Sequence, residues 1–182
     1  MIVHQKPITP AAFERLAALP ENRERRMEYI GGEAVEMVSN NYASQVAMVI
    51  GAFLTLFALQ NKLGWVTGAD GGYVVSGERY MPDVAFISRQ RQPEPCHDAW
   101  NPNAPDLAVE VFSPTDDHRL LLVKVSNYLA AGTTVWVVYP DQKEVHVHRP
   151  GKGAEVLSAS GTLSGDALLP GFTLPVKDIF EA

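Results

Sequence analysis

Residues 105–114, Pro105-Asp106-Leu107-Ala108-Val109-Glu110-Val111-Phe112-Ser113-Pro114, read PDLAVEVFSP and are apolar on both alternating faces between two prolines. That is the pattern of a strand covered on both sides, so a sheet with a layer on each face is expected. Glu110 interrupts the pattern. A buried carboxylate has to be paired, hydrogen-bonded or bound to a cation, so a partner for it is expected elsewhere in the chain.

Downstream of this strand, SPTDD (residues 113–117) supplies caps for a helix of about Asp117 to Ala131, closed by Gly132. Thr133 to Tyr139 and Glu144 to Arg149 alternate as strands around a Pro140-Asp141 turn, followed by Ala154 to Leu157 and the tail GDALLPGFTLPVKDIF. Upstream, Asn41 to Lys62 is expected as a long helix, apolar around much of its surface and therefore central, with a glycine stop at Leu63-Gly64. Trp65 to Thr67, Gly72 to Val75 and Tyr80 to Ser88 are strand candidates joined by glycine-rich turns. Arg89 to Ala104 is a long polar connection, either a functional loop or a plain surface excursion.

Nearer the start, Glu28 to Met37 predicts a hairpin turned at Gly31-Gly32. Pro10 to Leu19 predicts a short amphipathic helix with Thr9 as N-cap. No tandem repeat or low-complexity segment occurs. The sum is an α/β or α+β sandwich, one domain over residues 1–182, with residues 1–26 as an N-terminal helical extension. Its centre is a mixed sheet with the long helix on one face and the Asp117 to Ala131 helix on the other.

Composition narrows the function classes. The 182 residues are 46% hydrophobic with a formal net charge of -6, which argues against strong non-specific attraction to nucleic acid. Arg23, Arg25 and Arg26, and separately Arg89 and Arg91, are the basic clusters that could touch a phosphate or merely form a solvated face. A single cysteine, Cys96, leaves no internal disulfide framework. The N-terminus lacks a signal-peptide h-region, and the apolar stretch Val46 to Leu59 reads as too short and interrupted to span a bilayer. A cytoplasmic protein without membrane contact is expected.

Two acids compete to accompany Glu110. Asp106 precedes it by four positions on one strand, roughly 13 Å away, too far to share an ion. Asp83 begins the Val84 to Ser88 run, and an antiparallel pairing would bring it to about 5 Å from Glu110. Two such carboxylates suit Mg²⁺ or Mn²⁺; the alternative is a capping Asp and a Glu paired with a cationic side chain or a backbone donor. On the following helix, Lys124 lies in or beside the stripe of Leu121, Val125 and Tyr128. It is either a snorkelling surface lysine or a cation directed at the end of the sheet.

Glu28 in RMEYIGGE, Asp83 in RYMPDVAFIS, Glu110 in PDLAVEVFSP, and Lys124 with Tyr128 and Gly132 in KVSNYLAAGTTVWVVYPD together resemble the bacterial family described as “putative restriction endonuclease”, within the PD-(D/E)XK nuclease superfamily. The likeness runs from about Met27 to Phe180. It implies a restriction-endonuclease-like αβββαβ core and Mg²⁺- or Mn²⁺-dependent hydrolysis of DNA phosphodiesters, with a homodimer a natural way to cut both strands. It implies Asp83, Glu110, Glu28 and the Val111 carbonyl as metal ligands and Lys124 as the assisting cation. The superfamily lysine would stand two residues after Glu110, where this chain has Phe112; Lys124 matches the migrated lysine of the resembled family. Ser44 and Gln45 are weaker supporting candidates. A nuclease fold that binds or assembles without catalysis is the alternative.

Other groupings point elsewhere. His146 and His148 share one face of a strand and read as a solvated polar face. His118 reads as a surface residue, Cys96-His97 lacks a triad, and GADGG lacks the Lys-Ser/Thr of a phosphate-binding loop.

Overall fold

A computed structural model describes residues 7–114 and 116–181. Thr115 of the expected SPTDD cap and residues 1–6 of the expected extension lie outside the described residues. Helix α1 (Pro10–Ala17) starts as its sequence dictates, with the Ala12 N–H donating to Thr9 Oγ1 at 3.2 Å and proline in the first turn. Strands β1 (Met27–Ile30) and β2 (Glu33–Glu36) form the expected hairpin. Gly31 and Gly32 turn it at φ +59° and +88°, a region that favours glycine. Strand alternation sends Met27 and Tyr29 of β1 against Phe13 of α1 and turns Ile30, on the same side as Glu28, to the opposite cluster.

Helix α2 (Asn41–Gln60) is capped by Asn40, whose side chain accepts from the Ala43 N–H at 2.8 Å. There follow β3 (Gly64–Gly68), β4 (Gly72–Val75), β5 (Glu78–Tyr80), β6 (Val84–Ser88), β7 (Trp100–Asn101) and β8 (Leu107–Val111). Helix α3 (His118–Ala130) is capped by Asp117 and followed by Gly132 at φ +81°. The chain continues through β9 (Thr134–Tyr139), β10 (Glu144–His148), β11 (Glu155–Leu157), β12 (Thr162–Ser164), β13 (Thr173–Pro175) and α4 (Val176–Phe180).

Two mixed sheets carry the architecture. The larger has the order β11-β10-β9-β8-β6-β3, with β8 and β9 parallel across the α3 connection. The smaller runs β2-β1-β5-β4-β7, with β4 and β7 parallel; β12 and β13 form a separate pair. On one face of the larger sheet, Ile50 and Leu54 of α2 join Phe86, Val109 and Trp136. On the other, Leu121, Val125 and Tyr128 of α3 join Ala85 and Ala108, together with Tyr73 and Tyr80 of the smaller sheet. Strand β8 is therefore buried along its whole length, as its two-sided apolar pattern requires.

Five expectations are corrected or made definite. The run Tyr80 to Ser88 is two strands, because Pro82 has no N–H for a ladder and Met81-Pro82-Asp83 carries the chain from one sheet to the other. Helix α2 is not central: Met48, Phe53, Leu56 and Leu59 are exposed on the face away from the sheet. By length and composition this 20-residue helix is also long and apolar enough to cross a membrane, because it extends beyond the Val46 to Leu59 stretch. Gly64 does not stop it; Lys62 takes the left-handed conformation (φ +53°), and Gly64 lies in β3, where a Cβ would stand 2.1 Å from the Ile87 carbonyl oxygen. The 89–104 connection is also pinned, through β7 and through the Trp65 Nε1–H, which donates to the Gln92 carbonyl at 3.0 Å.

Candidate functional site

The antiparallel register of β6 on β8 pairs Val84 with Val109, so Asp83 comes level with the Glu110 end of β8. There Asp83 Oδ2 accepts from the Val111 N–H at 2.8 Å, and Asp83 Oδ1 lies 3.9 Å from Arg26 Nη2. Lys124 reaches in from α3 as its partial place in the apolar stripe allows. Its ammonium donates to Glu110 Oε2 at 2.8 Å and to Glu28 Oε1 at 3.0 Å. Glu28 Oε2 is also 3.0 Å from Nζ but lacks hydrogen-bond geometry, and Glu28 Oε1 further accepts from the Met81 N–H at 2.5 Å.

Tyr128, one helical turn after Lys124, donates its hydroxyl to Glu110 Oε1 at 2.9 Å. Its ring meets that of Tyr80 edge-on at 5.3 Å, and Asn127 Nδ2 donates to the Tyr80 hydroxyl at 2.6 Å. Glu110 thus has its partners: an ammonium on one oxygen and a phenol on the other.

Burial sets the electrostatics of this cluster. Glu28 is 0% exposed, Lys124 2% and Glu110 6%. Burial pushes the Glu110 carboxyl up to about 8; Lys124 pulls against the rise, while Glu28 and Asp83 add to it. Asp83 is raised as well, by burial first, against the Val111 N–H bond and Lys124. Burial alone would lower Lys124, but Glu110 and Glu28 outweigh it and hold the ammonium above the ordinary lysine value. Tyr128 is pushed well up by burial and by Glu110, so its hydroxyl stays a donor.

Three carboxylates, Glu28, Asp83 and Glu110, face two cations, Lys124 and Arg26. The excess negative charge is met either by a retained proton or by a further cation. Among the described residues no group of three or more His, Cys, Asp or Glu forms a metal-ligand cluster. Asp83 and Glu110 are instead a two-carboxylate oxygen donor set, which would suit a hydrated divalent cation such as Mg²⁺ or Mn²⁺. Both acids open onto a cleft of about 420 Å³, shared with Arg26 and Lys124 and walled in part by Ile30 and Phe112.

The other sequence candidates take separate places. Val111 lines the cleft beside Asp83. Phe112, at the expected superfamily lysine position, packs between the His118 and Tyr139 rings. Ser44 lines a neighbouring groove along α2 that also contains Arg26 and Asp83; Gln45 is exposed on α2 and lines neither. Asp106 is structural, accepting from the Ser88 N–H at 2.7 Å and pairing with Arg91 at 2.9 Å. Arg89 stacks over Trp65, and Arg25 pairs with Glu36. His146 lies 3.4 Å from Glu144, Cys96 is a free thiol, and the Gly71 N–H closes the GADGG turn on the Gly68 carbonyl.

Sequence reasoning missed two contacts. Arg26 precedes Glu28 by two, so strand alternation alone puts them on one side. Tyr128 follows Lys124 by four, so helix periodicity alone brings the phenol and the ammonium together.

No curated protein matches the chain. Over 96% of its length it is similar to a solved putative nuclease from Anabaena variabilis ATCC 29413, covering 98% of that chain at a TM-score of 0.83 and 21% identity, a likeness of fold. A family model described as “Putative restriction endonuclease” matches residues 10–177, nearly the whole chain, and the protein therefore belongs to this family, Uma2.

Proposed function

We propose that the protein is a divalent-metal-dependent endodeoxyribonuclease, with α2, β3, β6, β8, α3 and β9 read as the αβββαβ restriction-endonuclease-like core. The observation that carries this reading is the meeting of Asp83, Glu110 and Lys124 on one cleft, contributed by the entry to β6, by β8 and by α3 in chain order. Asp83 and Glu110 would hold Mg²⁺ or Mn²⁺, with the Val111 carbonyl as a further oxygen; Glu28, the remaining expected ligand, is fully buried against Lys124 and the Met81 N–H and would act through Lys124. When bound, the ion lowers the pKa of coordinated water and offsets charge on the scissile phosphate.

The chain's own side chains do the rest. Tyr128 fixes the orientation of Glu110, and the rigid β8 strand holds the carboxylate better than a loop would. Lys124 offsets the burial of Glu28 and Glu110 and supplies positive charge where the attacking oxygen and the phosphate meet. DNA is the substrate, a homodimer supplies two sites for two strands, and the compartment is the cytoplasm.

A non-catalytic nuclease-fold module is the second reading. It is favoured by the Lys124 ammonium, which already pairs with Glu28 and Glu110, and by the net charge of -6. Calorimetric titration of Mn²⁺ into the wild-type protein, Asp83→Ala and Glu110→Ala separates the two. Saturable binding lost in both variants supports the nuclease, with DNA cleavage and its loss in Lys124→Ala as the next measurement. Absence of wild-type binding, or binding indifferent to both substitutions, favours the module.

A further inference from the structure

We infer that Arg26 is the phosphate anchor of the cleft, its guanidinium holding the non-bridging oxygens of a phosphodiester beside Asp83 and Glu110; this rests on the nuclease reading above. Arg26 lies just before β1, on the same side of the strand as Glu28, and lines the cleft. Its Nη2 stands 3.9 Å from Asp83 Oδ1, beyond hydrogen-bond range, and its Nε is buried with no hydrogen-bond partner. A buried donor left without an acceptor is costly, so the guanidinium, though charge-paired with Asp83, keeps hydrogen-bonding capacity unspent.

Neighbouring charges are already committed. Arg25 bonds Glu36 and Asn22, Arg79 bonds Glu14, and Arg91 bonds Asp106 and the Ala104 carbonyl. The acids at the mouth are occupied too: Glu36 by Arg25, Asp116 by the Ser113 N–H and Asp117 by the Arg119 N–H. Arg26 lines both the cleft and the groove along α2, so it stands where a nucleotide chain would pass from one to the other. Its planar fork matches two phosphate oxygens at once, which a lysine cannot do. A divalent cation held by Asp83 would take over that carboxylate and free the guanidinium for the phosphate, so phosphate binding is expected to strengthen with the metal.

Calorimetry with deoxythymidine bisphosphate as the probe, in saturating Mn²⁺, tests this on wild-type, Arg26→Gln and Arg26→Lys proteins, with Mn²⁺ binding and thermal unfolding measured on each. Arg26→Gln is expected to keep Mn²⁺ binding and lose about tenfold to a hundredfold in nucleotide affinity, the equivalent of a charge-assisted pair. Arg26→Lys keeps the charge without the fork and falls between; it also decides the matter if Arg26→Gln does not fold. Nucleotide affinity unchanged in both variants, or absent from a wild-type protein that binds Mn²⁺, overturns the assignment while leaving the nuclease reading standing. A wild-type protein that binds neither Mn²⁺ nor the nucleotide overturns both.

Discussion

The Lys124 ammonium lies 3.0 Å from Glu28 Oε1, joining a helix residue to a strand residue 96 positions earlier in the chain, both buried. The same ammonium holds Glu110, so one cation ties α3 to a strand of each sheet. Lys124→Met removes the cation that holds Glu28 and Glu110 together in the interior and is expected to cost about 3–5 kcal/mol. Urea denaturation checks this; an unchanged midpoint would show that the cluster relaxes to solvent.

Tyr128→Phe keeps the ring against Tyr80 and removes only the hydroxyl on Glu110. The expected loss is about 1–3 kcal/mol, because a buried acceptor loses its donor. Mn²⁺ affinity should fall with it, as Glu110 is no longer oriented. A variant that unfolds like the wild type and binds Mn²⁺ equally well would remove Tyr128 from this role.

Stability should fall as pH rises from about 4.5 towards 8. The folded Glu110, its carboxyl raised to about 8, retains a proton that the unfolded chain, at its ordinary value of 4.5, has released. The native state therefore binds more protons in this window, and the slope of unfolding free energy against pH is negative. Asp83, also raised, acts in the same direction. Lys124, raised above 10.5, stays charged in both states throughout the window. Glu110→Gln should flatten the dependence in urea melts; an equally steep slope would assign it to other groups.

Helix α2 should respond differently on its two faces. Ile50→Ala empties a site that is 0% exposed and is expected to cost about 2–5 kcal/mol. Leu56→Ala, at a position 57% exposed, should stay within about 0.5 kcal/mol. Equal losses on both faces would mean that the exposed one is covered in solution.

Divalent metal should raise the melting temperature of the wild-type protein, because an ion that binds only the folded state stabilises it by mass action. Asp83→Ala should abolish the rise. A rise that survives this substitution would place the ion away from the cleft.

Local chemistry in the sequence determined much of the fold. The doubly apolar run of β8, the glycine turn between β1 and β2, and the caps of α1 and α3 depend on residues a few positions apart, so periodicity and backbone preference specify them. The pairing of Asp83 with the Glu110 end of β8 was legible for the same reason, through the alternation of two adjacent strands. Only the tertiary structure decided that Pro82 divides one apolar run between two sheets, that α2 buries a single face, and that Arg26 meets Asp83 of another strand. It also decided that Lys124 is a buried cation rather than a snorkelling one. These outcomes turn on which distant surfaces meet and exclude water, and no local pattern encodes that, because the partners lie tens of residues apart.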